Sequence, residues 1–414
     1  MALRDHFGSV IATDQSGMYV FIGAPYGDSL WASSTGTVFV YKLENTTALC
    51  REVAQISPPV ATVESENVMF GAAIALHGTR ALIGAPGFDG GQGAVFALHL
   101  KDDFWILDTV PIPRNSTSQF SRFGASLWIY GDDAIVGEPG QGFVHLYRYK
   151  YVESSGTSPW RYETRFSPPN PAHTTNFGKR VAITENYFIA SSGGDAAAVH
   201  IFHKLASPSL WYLEYVIMYP EESIAFGYSL SIDHEQIVIG APDAPFGGAA
   251  YIYERSGRSW IKKSDITNIG PHHGKIGESV SIIGNRVIVG APGSDNAGSA
   301  YIFERFPPKS WELGYKLSYE NLVLIDDDTH DTEYGLTVAQ SPHLLFVGTG
   351  NRITTQLIHG AYAYKLTSRA VLPALSTTHS PSTQAALASA CASGLPCLSS
   401  FIFGFLIPLL AIMR

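Results

Sequence analysis

Residues 276–304 read IGESVSIIGNRVIVGAPGSDNAGSAYIFE, and this stretch decides the fold. It holds three short apolar runs with a period of two, separated by Gly284-Asn285 and by Gly290-Ala291-Pro292. Alternation bounded by Gly, Pro, Asp and Asn is the pattern of antiparallel strands joined by tight turns. Nothing in the stretch has the 3.6-residue period of an amphipathic helix.

The same pattern recurs outward in both directions. Phe-Gly or a substitute stands at Phe7-Gly8, Phe70-Gly71, Phe123-Gly124, Phe177-Gly178, Phe226-Gly227, Ile276-Gly277 and Tyr334-Gly335. The glycine intervals are 63, 53, 54, 49, 50 and 58 residues. Thirteen residues after most of these glycines comes Gly84-Ala85-Pro86, Gly137-Glu138-Pro139, Gly240-Ala241-Pro242 or Gly290-Ala291-Pro292. The first repeat has Gly23-Ala24-Pro25 after a two-residue insertion; the fourth degenerates to Ala190-Ser191-Ser192 and the seventh to Gly348-Thr349-Gly350. A third strand follows, then a fourth that contains Trp105, Trp160, Trp211, Trp260 or Trp311 in five repeats. One such sheet cannot bury both faces, so the units must stack, and radial closure leaves no long exposed edge. The reading is an all-β, seven-bladed β-propeller of four-stranded antiparallel blades over residues 1–369. In it Phe fills the space between blades, Gly permits close backbone approach near the axis, and Pro ends a ladder. After Leu366 the last repeat lacks a clear fourth strand. Either residues 369–375 supply it or a segment preceding residue 7 closes the ring.

Composition narrows the classes of function. The 414 residues are 45% hydrophobic and 15% charged, against about 25% charged in typical domains, which excludes a disordered chain. A net charge of -9 without a basic stripe argues against nucleic acid as a partner. Cys50 is alone in the first 370 residues, so no disulfide framework or CxxC metal site holds the domain. The segment 370–413 has no Asp, Glu, Lys or Arg, and ends in the apolar run FIFGFLIPLLAIM at 401–413. Small residues around Ser389, a spacer and a greasy end have the layout of a lipid-anchor signal. A retained span over 395–413 is the rival reading. Residues 370–400 then form a Ser/Thr/Ala-rich stalk or spacer. The N-terminus carries no signal-peptide pattern, which conflicts with export unless it is incomplete. Asn45 and Asn115 begin N-glycan acceptor triplets.

These repeats resemble the FG-GAP family, best known from the N-terminal propeller of integrin alpha subunits, over residues 7–366. The resemblance implies an extracellular propeller that acts in adhesion or ligand binding. Some family repeats hold calcium in DxDxDG loops, whereas the corresponding loops here are as short as Gly284-Asn285. No cofactor or metal is therefore expected, with Asp326, Asp328 and Asp331 as weak metal candidates and His272-His273 a weaker one. By family analogy, ligands meet the face formed by the second-to-third-strand loops and the blade-to-blade connections. Ligand-binding candidates there are Tyr26, Asp28, Trp31, Phe88, Asp89, Phe120, Gln141, Asp195, Asp243, Phe246, His273 and Asp295. Catalytic signatures such as G-x-S-x-G and H-E-x-x-H are missing. The expected role is non-catalytic surface recognition of a protein or carbohydrate by a monomeric propeller held at the membrane by its C-terminus. A hydrolase or lyase using the channel, marked by buried Asp, Glu, His or Arg, is the alternative. A structural surface protein without a specific ligand is the third reading.

Overall fold

The computed structural model describes residues 6–389, apart from 15, 28–34, 45–48, 60–66, 109–110, 113–117, 151–157, 172–173, 194–196, 206–209, 220–224, 268, 270–272, 296, 306–309, 319–332, 351–358, 367–370 and 381–383. The described strands form seven antiparallel sheets in chain order: 10–56, 73–107, 126–166, 181–218, 229–267, 279–318 and 337–389, here blades 1 to 7. Within each sheet consecutive strands pair, so every blade is one run of chain. Blade 6 is representative, with strands Ser279–Ile283, Arg286–Ala291, Ser299–Glu304 and Glu312–Ser318. Its first hairpin is a two-residue turn at Gly284-Asn285, because Ile283 pairs with Arg286. The first strand of each blade touches that of the next, and blade 7 returns to blade 1. This is the seven-bladed β-propeller that the repeats predict.

Blade 7 draws its fourth strand from Val371–Ser380, which pairs with His359–Leu366, and Gln384–Ser389 adds a fifth. Of the two routes to completing the seventh sheet, the chain uses the C-terminal one. Residues that the sequence groups with the spacer thereby cover an edge that would otherwise be open.

The signature residues form a joint repeated around the axis. In blade 6 the Gly277 amide donates to the Gly290 carbonyl at 3.0 Å. A Cβ on Gly290 would lie 2.0 Å from the carbonyl oxygen of Gly335, which opens blade 7. Gly335 itself sits at φ 93°, where only glycine is unstrained. The same approach recurs between Gly84 and Gly124, Gly137 and Gly178, and Gly348 and Gly8. The two glycine signatures are therefore halves of one contact between neighbouring blades. In blade 4 Ser191 pairs with Val199 as Gly137 does with Val144, so it stands in the second-strand glycine's place.

Hydroxyls reinforce the joint. Ser126, Ser229 and Ser279 donate to the carbonyls of Gly178, Gly277 and Gly335 at 2.7, 2.7 and 2.9 Å. At the seam between blades 7 and 1, Thr337 donates to the Ser9 carbonyl at 2.6 Å. The side chains of the Phe-Gly signature, including the substitutes Ile276 and Tyr334, are all buried. Each aromatic one packs on a third-strand ring of its own blade, as Phe7 on Phe39, Phe123 on His145 and Phe226 on Tyr251. Removing a ring of this size from water contributes roughly 1.5–3 kcal/mol. On the face of the first hairpins, ion pairs cross between blades, as Arg80 with Asp132 and Lys204 with Asp133.

Candidate functional site

The innermost strands enclose a channel, and one residue from each blade occupies each of its levels. At the middle level the register aligns Ala12, Ala75, Ala182, Ser231, Ser281 and Ala339. Blade 3 places Trp128 there instead. The indole is half-buried and packs against the clusters of blades 3–4 and blades 4–5. Six small side chains leave the room that one large one takes. Trp128→Ala is expected to cost about 3 kcal/mol, the low end for an aromatic side chain lost from packing, because the indole is only half-buried. Urea unfolding measures it.

Below Trp128 the channel opens on the face of the first hairpins as a cavity of about 430 Å³, lined by all seven innermost strands. His77 and Tyr130 pack ring on ring at its rim, 5.3 Å apart. The carboxylates present are committed to the backbone: Asp14 accepts from the Tyr19 amide at 3.0 Å and Asp233 from the Gly284 amide at 2.6 Å. Beside it lies a groove of about 520 Å³ bounded by Glu185, Asn186, Asp233, His234 and Asn285. His234 occupies the left-handed turn position, φ 52°, that Gly78, Gly131 and Gly284 hold in other blades.

The opposite mouth is set by the residue after each Phe-Gly, immediately before the innermost strand. It is small or aliphatic at Ser9, Ala72, Ala125 and Leu336, but Lys179, Tyr228 and Glu278 in three consecutive blades. Arg180 follows Lys179. The Lys179 Nζ stands 4.8 Å and the Arg180 Cζ 5.5 Å from the centre of the Tyr228 ring. Burial pushes the Tyr228 phenol up to about 12, and the neighbouring Glu278 charge adds to that. Burial also raises the Glu278 carboxyl, against a hydrogen bond donated by Tyr228. Lys179 is lowered by burial and by the like charge of Arg180, and Arg180 is lowered by burial. The mouth thus combines two cations, a phenol and a carboxyl shifted toward its neutral form.

Of the candidates on this face, Phe120 and Phe246 are 73% and 65% exposed. Asp89, Gln141, Asp243 and His273 are exposed, and Asp243 adds its field to the Lys179 and Glu278 cluster. Tyr26 is half-buried against the His6 ring. Phe88 packs edge-on against Phe96 and joins the core between blades 1 and 2, so it is a packing residue. Asp295 is tied to Ser299 at 2.7 Å and Lys316 at 2.5 Å. Burial opposes its ionisation, yet these two donors hold its carboxyl below the usual range. Asp28, Trp31, Asp195, Asn45, Asn115, His272, Asp326, Asp328, Asp331 and the run 401–413 lie outside the described residues, as does the Ser389 side chain. Among the described residues no group of three or more His, Cys, Asp and Glu is placed to hold a metal. No helix among them is long and apolar enough to cross a membrane.

Two further polar pairs lie between blades. Glu138 and His145 meet at 2.7 Å with both side chains fully buried. In blade 4, Ser192 and His200 take the same places at 3.1 Å. Burial lowers His200 to about 4. Among the described residues its Nδ1 has no hydrogen-bond partner and no carboxylate orients it as a general base.

Fold and joint define a seven-bladed propeller built on a Phe-Gly and Gly-Ala-Pro repeat. Residues 273–303, most of blade 6, match the FG-GAP repeat model, and the ring fits an FG-GAP propeller. No curated protein matches the chain. Solved structures of similar fold include U3-55K, at 11% identity over 88% of this chain and 94% of that one, TM-score 0.51. The WD40 repeats of RRP9 align at 9% identity over 84% and 88% of the two chains, TM-score 0.49. At such identities the likeness concerns fold alone.

Proposed function

We propose that this protein recognises a protein or glycan ligand, without catalysis, through the face that carries the second-to-third-strand loops. A propeller with an FG-GAP repeat fits a protein-interaction role. The observation that carries the finer reading is the pair Phe120 and Phe246. Both rings stand in solvent on left-handed backbone, at φ 58° and 64°. Bulky residues are costly there, and such strain concentrates at binding sites. Phe88, in a comparable loop, turns inward onto Phe96. Exposed aromatics are common anchors of an interface. In this reading the propeller is a monomer at the cell surface, held through its C-terminal segment and needing no cofactor. Release of the intact propeller by a glycolipid-specific phospholipase supports a lipid anchor, and retention after confirmed export supports a span.

The test compares wild type with Phe120→Ser/Phe246→Ser as baits for surface proteins and arrayed glycans. Ligands retained by wild type should fall at least tenfold with the double variant, since hot-spot aromatics each contribute about 2 kcal/mol. Unchanged capture by a variant of equal melting temperature rejects the reading. A hydrolase or lyase acting in the channel is the second reading, favoured by Glu278 as a carboxyl poised toward its acid form. It requires turnover that Glu278→Gln abolishes.

A further inference from the structure

We propose that the channel mouth on the loop face is an oxyanion site, in which Arg180 and Lys179 bind a carboxylate, phosphate or sulfate group carried by the ligand. This deepens the recognition reading by naming the chemistry that the ligand presents.

Blade 4 departs from its repeat at the start of the innermost strand. The position of Arg180 is Ser126, Ser229, Ser279 or Thr337 in four other blades, where the hydroxyl clasps the next blade. Arg180 gives up that clasp. Its amide instead donates to the Ser191 hydroxyl at 3.1 Å, and one guanidinium nitrogen to the Lys179 carbonyl at 3.1 Å. The position of Lys179 is a small residue in blades 1, 2 and 3. Blade 4 has therefore lost a structural contact and gained two adjacent cations at the axis.

Those cations have no ion pair among the described residues, although Glu278 and Asp243 stand near enough to act on them through space. Elsewhere the described basic side chains often close on a carboxylate, as Arg148 and Lys204 do on Asp133. Glu278 is engaged by Tyr228. Tyr228 lies under both cations, a ring face that holds them in place and supplies no counter-charge of its own. A partly desolvated guanidinium with free donors is suited to bidentate capture of an oxyanion, and a neighbouring ammonium adds a point charge. Glu278 and Asp243 oppose the ligand, which makes the site selective for a group that can bond the guanidinium directly.

Calorimetric titration of the purified chain with inorganic phosphate, sulfate and N-acetylglutamate tests the site. Wild type should bind at least one probe. Arg180→Gln should weaken that probe about tenfold or more and Lys179→Gln about threefold, as expected for charge-assisted bonds. Glu278→Gln should tighten it by removing a competing carboxylate. The ranking of phosphate and sulfate against N-acetylglutamate tells a phosphorylated or sulfated ligand from an acidic side chain. Absence of binding by every probe, or equal affinity in wild type and Lys179→Gln, overturns the site even if Arg180→Gln fails to fold. Anion binding that persists in Phe120→Ser/Phe246→Ser while ligand capture is lost keeps this site independent of the aromatic anchors.

Discussion

Alanine at Gly335 is expected to destabilise the ring by about 3 kcal/mol or more. An added Cβ meets the Ser299 carbonyl oxygen at 2.2 Å, and overpacking against backbone costs about 1–3 kcal/mol because backbone has little room to yield. The residue also sits at φ 93°, which adds roughly 1–2 kcal/mol for any L side chain. Gly284→Ala is the matched control. It too has positive φ, at 56°, but nothing lies within 4 Å of the new atom. Its cost should stay near 1 kcal/mol. Denaturant midpoints at constant slope separate the two, and equal losses would mean that the glycine joint is not tightly packed.

The second large effect concerns the buried pair between blades 2 and 3. Glu138→Ala alone should cost about 3 kcal/mol, because it strips a fully buried imidazole of its partner. Glu138→Ala/His145→Phe installs the combination that blade 2 already uses, Ala85 beside Phe96. That double variant should recover most of the loss, since a buried polar pair replaced by packed apolar groups is often neutral. A double-mutant cycle with no coupling between the two positions would sink this account. The repeat carries its own parallel. Where the residue after the second-strand glycine position is Glu138 or Ser192, the facing third-strand residue is histidine; where it is Ala85, Ala241 or Ala291, it is Phe96, Tyr251 or Tyr301.

Architecture was legible because steric demand at the joint is the same in every blade but the fourth, where Ser191 replaces the second-strand glycine. Gly290 must clear the Gly335 carbonyl just as Gly84 must clear that of Gly124, so the chain repeats itself in letters. Alternation then marked the strands, and the end of blade 7 stayed open in the sequence because residues 371–380 lack the tryptophan that marks the fourth strand of blades 2 to 6. The site was less legible. Reading loops by polarity and aromaticity selected Phe120 and Phe246, but also Phe88, which is half-buried, and Asp295, which is bonded. Lys179, Arg180, Tyr228 and Glu278 went unselected because they lie beside the signature rather than in a loop. Their signal was present as a break in the repeat: three neighbouring units abandon the small residue after Phe-Gly together.

The seam between blades 7 and 1 differs from the other six in one respect: no peptide link joins the two sheets there. What holds it is the Thr337 hydroxyl on the Ser9 carbonyl, the Gly348 and Gly8 approach, and the shared apolar packing. Closure of the ring therefore rests at this seam on noncovalent contacts alone. And because each sheet is a self-contained run of chain, duplicating or deleting a whole unit changes the circumference without recutting any other.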